Sequence, residues 1–297
     1  MKILWAIDCF GGSFAAIKAG ARFLNQLASN ATSPLQVYPV SIMGPLEFQW
    51  FIDAGIKESP QHYLEKIVRK FKIAGLQYPK VISDSGFSLS ASAKSLDAFG
   101  KKHQCEFILC MTQSRSGLKN AILGSFAEAL VSRSKTSLFL VHPKGSSKIQ
   151  FRKSLFSTDL SPQSRSAFKK FVSFASDWRS SVTVLHCAFQ QSDWATALAM
   201  VESFQYLSGL PMNTKEASLK KDQTWFEEGA RRQGVKAKFV VSRQYQQVAD
   251  EILKTASRQG AGYLVMATHS GPISSMILGS TAKKVLRLST RPVLVIK

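Results

Sequence analysis

Acidic residues are scarce in this chain: 19 Asp and Glu stand against 39 Lys and Arg in 297 residues, a formal net charge of +20. Such a field attracts polyanions and phosphates, so composition alone keeps a nucleic-acid partner in view. Blocks of five or more like charges are missing, however. Pairs such as Lys169-Lys170, Lys220-Lys221, Arg231-Arg232 and Lys283-Lys284 fall on the polar faces of predicted helices, which favours solvated surface over a polyanion patch.

Cysteine is sparse too. Cys9, Cys105, Cys110 and Cys187 lie in or beside apolar runs, with no CxxC and no metal-ligand spacing. A disulfide framework and a zinc ribbon are excluded, and buried free thiols in a reducing compartment are expected. No apolar run approaches the roughly 18 residues of a membrane helix. The first one breaks at Asp8, too early for a signal peptide core. A cytoplasmic protein without a membrane span is the expectation. The chain also lacks G-x-x-x-x-G-K-[ST], hence the usual phosphate-clamping lysine. No paired carboxylate can be identified from spacing, so no enzyme is expected beyond, at most, slow ATP hydrolysis.

What the chain does have is an internal repeat. Residues 262–297 read as an apolar strand (Tyr263 to Met266), a polar loop, a helix opened by Gly279-Ser280-Thr281 and a closing strand (Pro292 to Ile296). Residues 106–141 repeat that order, and Ile-Leu-Gly-Ser recurs at Ile122 and Ile277. Upstream of each copy the pattern is strand then helix, with Asp8 and Asp159 after the first strand of each half. The stretch from Gly44 to Pro60 reads as turn punctuation before a second helix. An aromatic set (Trp194, Phe204, Tyr206, Trp225, Phe226) reads as core or cap packing rather than a ligand box. The Pro-, Gly- and Ser-rich linker after His142 divides the chain into domains at 1–144 and 145–297. Each is expected to be a doubly wound α/β domain with a five-stranded parallel sheet.

In such sheets ligands lie beyond the carboxyl ends of the strands, where strand order reverses. Asp8 and Asp159 stand there, with the Gly-Ser helix starts at Gly124-Ser125 and Gly279-Ser280, whose free N–H groups suit a phosphate. Ser as a cap and Asp as a turn residue are the plain readings of the same residues.

At these residues the chain resembles the universal stress protein family in tandem form. The resemblance rests on Thr158-Asp-Leu-Ser161, Leu185-His186, Val265-Met-Ala-Thr-His-Ser270, Ile277-Leu-Gly-Ser280 and Arg291-Pro-Val-Leu-Val-Ile. It implies the adenine nucleotide alpha hydrolase-like fold and a stress-response role. It also implies pairing of the fifth strands of the two halves, so that one chain reproduces the family's dimer; a homodimer and a protein partner are left open. Family members that hold ATP, with Mg, carry Gly, two residues, Gly, nine residues, then Gly-Ser or Gly-Thr. Here Met111 and Ser114 stand at the leading positions before Gly124-Ser125, and Ala267 and Ser270, one residue short, before Gly279-Ser280. The resemblance thus implies two eroded nucleotide sites: Asp8, Met111, Ser114, Gly124 and Ser125 in the first half; Asp159, Cys187, Ala267, His269, Ser270, Gly279, Ser280 and Thr281 in the second. The second is the better preserved.

Overall fold

The computed structural model describes residues 1–10, 12–84, 88–112, 123–143, 149–188, 212–243, 247–267 and 279–297. The boundary expected at 144/145 lies outside these residues, as do Trp194, Phe204 and Tyr206.

In the first half the strands are β1 (Lys2–Ala6), β2 (Gln36–Met43), β3 (Lys80–Ser83), β4 (Phe107–Met111) and β5 (Ser137–Val141). The second half supplies β6 (Lys153–Thr158), β7 (Ser181–Cys187), β8 (Ala237–Ser242), β9 (Tyr263–Ala267) and β10 (Val293–Ile296). All ten form one sheet in the order β3-β2-β1-β4-β5-β10-β9-β6-β7-β8. Pairing is parallel within each half, and the two halves meet where β5 and β10 run antiparallel, Leu294 opposite Phe139. At this seam the apolar strands Leu138 to Val141 and Val293 to Ile296 cover each other's edges, which would otherwise offer unpaired N–H and C=O groups.

Successive strand side chains point to opposite faces, and this sorts the core into two layers. Trp5, Phe107, Phe139 and Tyr263 face one side, where α1 (Phe14–Asn30), α3 (Pro60–Arg69), α6 (Pro162–Asp177) and α7 (Met212–Arg231) pack. Leu4, Ile108, Leu138 and Leu264 face the other, under α4 (Leu89–Lys102), α5 (Ser125–Arg133), α8 (Val248–Arg258) and α9 (Ser280–Leu288). Phe226 is fully buried against Phe156, Phe168 and Phe239, while Trp225 lies under the Arg165 guanidinium at 4.9 Å. Both therefore act in packing, as the sequence suggests.

One expectation needs correcting. Residues 44–60 are not turn punctuation throughout, because Pro45–Asp53 is a helix, α2. Pro45 sits at its first turn, where the missing N–H costs nothing, and the Glu47 carboxylate accepts the Gly44 N–H at 3.2 Å. Only Phe51 is buried, while Leu46, Phe48 and Ile52 are exposed, so the apolar residues show no helical stripe.

A candidate ligand cleft at the strand ends

Strand order reverses between β1 and β4 in the first half and between β6 and β9 in the second. In the first half a cleft of about 420 Å³ opens there, within the usual range for small-molecule sites. Its floor is the carboxyl end of β1 and β4, and its walls come from β2 and the starts of α2, α4 and α5.

Asp8 follows β1 and is tied into a tight turn. A Cβ at Gly12 would fall 2.1 Å from the Asp8 carbonyl oxygen and 2.7 Å from its carboxyl carbon, so the turn closes only over glycine. At the opposite wall the Gly124 N–H donates to the Thr112 carbonyl at 2.9 Å, and a Cβ on Gly124 would meet that oxygen at 3.0 Å. This close approach sets α5 directly on the end of β4. Asp8, Met111, Gly124 and Ser125 all line the cleft, so the structure brings these first-half candidates together; Ser114 lies outside the described residues.

The lining is mostly apolar. Met111, where a leading glycine would stand in an ATP-holding relative, is buried, with Leu123 and Cys110 beside it. Burial, with a smaller contribution from the Asp8 charge, pushes the Cys110 thiol up to about 12, so it is no nucleophile near neutral pH. Cys9 is likewise up at about 12, chiefly by burial, and its thiol donates to Ser41 Oγ at 3.3 Å. Among the 24 described residues that line the cleft, Asp8 and Glu47 are the only charged ones. Thr112 Oγ1 is buried in the wall with no hydrogen-bond partner.

These residues do not fit a magnesium triphosphate. Two carboxylates would face it, no lysine or arginine among the described lining residues would answer it, and the α5 N-terminus already carries Glu128 in its first turn.

In the second half the candidates share one sheet edge. Asp159 follows β6, Cys187 ends β7, Ala267 ends β9 and Gly279 precedes α9, while His269 and Ser270 lie outside the described residues. Asp159 is exposed, and its Oδ1 accepts the Ser161 N–H at 3.1 Å and the Ser164 hydroxyl at 2.6 Å. Those bonds, with Leu160 in the left-handed region (φ 66) and Ser161 capping α6, hold the turn from strand to helix. Beside it the His186 ring nitrogen lies 3.1 Å from the Thr158 carbonyl. Cys187 is half-buried, and its thiol is raised to about 11, first by burial and then by Glu251. The α9 start shares with that of α5 a glycine cap without a side-chain bond and an exposed serine, Ser280 matching Ser125, and differs from it in having no acid in its first turn. Backbone N–H groups there, with the Ser280 and Thr281 hydroxyls, fit a phosphate group.

Sequence reasoning missed the α2 and α4 contributions to the first cleft, among them Leu46, Glu47, Leu89 and Ser92. Gly44-Pro45 with Glu47 three residues after the cap was a readable helix start.

Residues 150–297 match the model of the universal stress protein family. No curated protein matches the chain. Among solved structures, a universal stress protein from Archaeoglobus fulgidus DSM 4304 is similar over 100% of this chain and 98% of its own, with TM-score 0.66 and 18% identity. A functionally unknown protein from Pseudomonas aeruginosa PAO1 is similar over 100% and 92%, with TM-score 0.60 and 15% identity. At these identities the likeness is one of fold.

Proposed function

The chain belongs to the universal stress protein family through residues 150–297 and carries that fold twice, and from this premise we propose that it is a non-enzymatic, cytoplasmic stress-response protein with eroded nucleotide sites. The observation that supports the reading most is the first-half cleft, which keeps the family's place at the strand ends but presents Met111, Asp8 and Glu47 where a nucleotide needs open backbone and positive charge. In the second half Asp159 spends an oxygen on its own turn, which leaves it a structural role.

A second reading draws on the start of α9, which is uncapped by a side chain and free of acidic residues in its first turn. On that reading the protein is an adenine-nucleotide sensor, with Ser280 and Thr281 at the phosphates of ATP; the bound magnesium nucleotide would supply charge and shape for signalling, not a reaction. Thermal melting with and without millimolar MgATP separates the two. Eroded sites predict no shift, whereas a shift abolished by Ser280→Ala would establish the sensor.

A further inference from the structure

We infer that the side chains of Gln61 and Glu227 are edge guards: they fill outward hydrogen-bonding positions of β3 and β8, and so keep a second copy of this chain from adding its own edge strand there. They do so whether or not a nucleotide is bound.

Pairing of β5 with β10 closes one edge of each half, which leaves β3 and β8 as the outermost strands. An outermost strand presents N–H and C=O groups on which another chain can build. Which groups these are follows from the ladders, because the N–H and C=O groups of successive residues point to opposite sides. At β3 the Asp84 N–H donates to the Met43 carbonyl at 3.0 Å, so even-numbered positions face β2, while Pro79 and Val81 face outward. At β8 the Lys236 and Ser242 carbonyls accept the Val182 and Ala188 N–H groups, so Ala237, Phe239 and Val241 face outward.

Gln61 of α3 answers two of these groups. Its Oε1 accepts the Val81 N–H at 3.0 Å, and its Nε2 donates to the Pro79 carbonyl at 2.6 Å. A further parallel strand would supply that same pair, a donor to residue 79 and an acceptor for residue 81. Pro79 itself has no N–H to offer a newcomer. The amide is held in this orientation because Nε2 also donates to Oε1 of buried Glu65, one turn on, at 3.2 Å. In α7 the Glu227 Oε1 accepts the Phe239 N–H at 2.9 Å, midway between Ala237 and Val241, and Gln223 Nε2, one turn back, donates to the same oxygen at 3.2 Å. Both helices thus carry Gln and Glu four residues apart, and one member of each pair reaches the edge. Exposed Lys80 and Lys238 stand on the same two strands, a second means of discouraging strand addition. A helix can cover a sheet without answering an outward N–H. That two helices do so at opposite ends of the sheet, with different residue types, points to the edges as what is being managed.

Gln61→Ser and Glu227→Ser withdraw the reach of each guard without adding apolar surface. On the full-length protein, sedimentation velocity over a dilution series reads association, and amide hydrogen exchange resolved by NMR reads where it occurs. In the parent the Val81 and Phe239 N–H groups are expected to be protected at every concentration. Each serine variant should free its own edge N–H, with exchange roughly fivefold faster or more in dilute solution, and should regain protection as it associates through residues 79–83 or 237–241. One open edge pairs with the same edge of a second copy and closes as a dimer, whereas the double variant, open at both ends, should give extended chains. Glu227→Gln keeps an oxygen for Phe239 and should behave as the parent. Parent edge N–H groups that exchange freely, serine variants that fold and keep the parent's sedimentation, or association that leaves 79–83 and 237–241 unprotected would overturn the inference. So would a Glu227→Gln variant that associates as Glu227→Ser does. Loss of the fold in both serine variants would overturn it too, because the two residues would then be supports of the fold and not guards of its edges.

Discussion

Phe139→Ala tests whether the two halves are fused through one core. Phe139 lies on β5 at the seam and is 1% exposed. Its ring centroid is 4.8 Å from Phe23 and 5.9 Å from Phe107, both of the first half, and 5.8 Å from Trp178 and 6.0 Å from Tyr263, both of the second. Truncation removes an aromatic ring from a site walled by rigid rings that cannot collapse, so the cost should fall at about 3–5 kcal/mol. For a cooperative 297-residue unit the entropy of melting is roughly 0.6 kcal/mol/K, which makes the expected fall in Tm about 5–8 °C. Differential scanning calorimetry reads both the shift and the number of transitions, and near-UV circular dichroism reads the loss of packing around Trp178. One transition moved by that amount is expected. Two transitions, of which only the lower moves, or a cost under about 1 kcal/mol, would refute a shared core.

Other consequences can be checked with the same material. Asp97 is buried and accepts from Ser134 Oγ, the Lys135 and Thr136 N–H groups and Thr136 Oγ1, and it pairs with Lys101 at 2.7 Å. Burial raises its pKa, but Lys101 and the Thr136 and Ser134 donors outweigh that and hold it below the ordinary carboxylate value. A lowered folded-state pKa gives stability that is present above the unfolded value and lost as pH falls through the folded one. Chemical denaturation should therefore show Asp97→Ala losing about 3 kcal/mol near neutral pH and having a shallower acid limb below about pH 4 than the parent. Gly12→Ala drives a methyl into the Asp8 turn and should cost about 1–3 kcal/mol by urea unfolding; a neutral result would mean that the turn is looser than described. Retention on heparin should vanish by physiological salt, because the basic surface attracts polyanions without a placed site; retention that persists would favour a specific nucleic-acid partner.

The strands were legible because parallel strands buried on both faces are written as short continuous apolar runs: β9 (Tyr263–Ala267) and β10 (Val293–Ile296) fall within one residue of the runs Tyr263 to Met266 and Pro292 to Ile296. Phe226 and Trp225 were readable as packing residues for a similar reason: a large ring on a predicted helix has few other uses in a core. α2 was obscured by its own composition, since Leu46, Phe48 and Ile52 face outward and erase the periodicity that reveals a helix. Much of the first cleft was hidden by distance along the chain. Asp8 and Met111 could be named from their places after β1 and at the end of β4. Glu47, Leu89 and Ser92 reach the same space from α2 and α4, and no local pattern links them.

The most direct measurement is the nucleotide content of the protein as purified, released by denaturation and quantified by chromatography. Eroded sites predict no stoichiometric adenine nucleotide per chain, and the same result after dialysis against millimolar MgATP. One or two equivalents per chain would contradict the account.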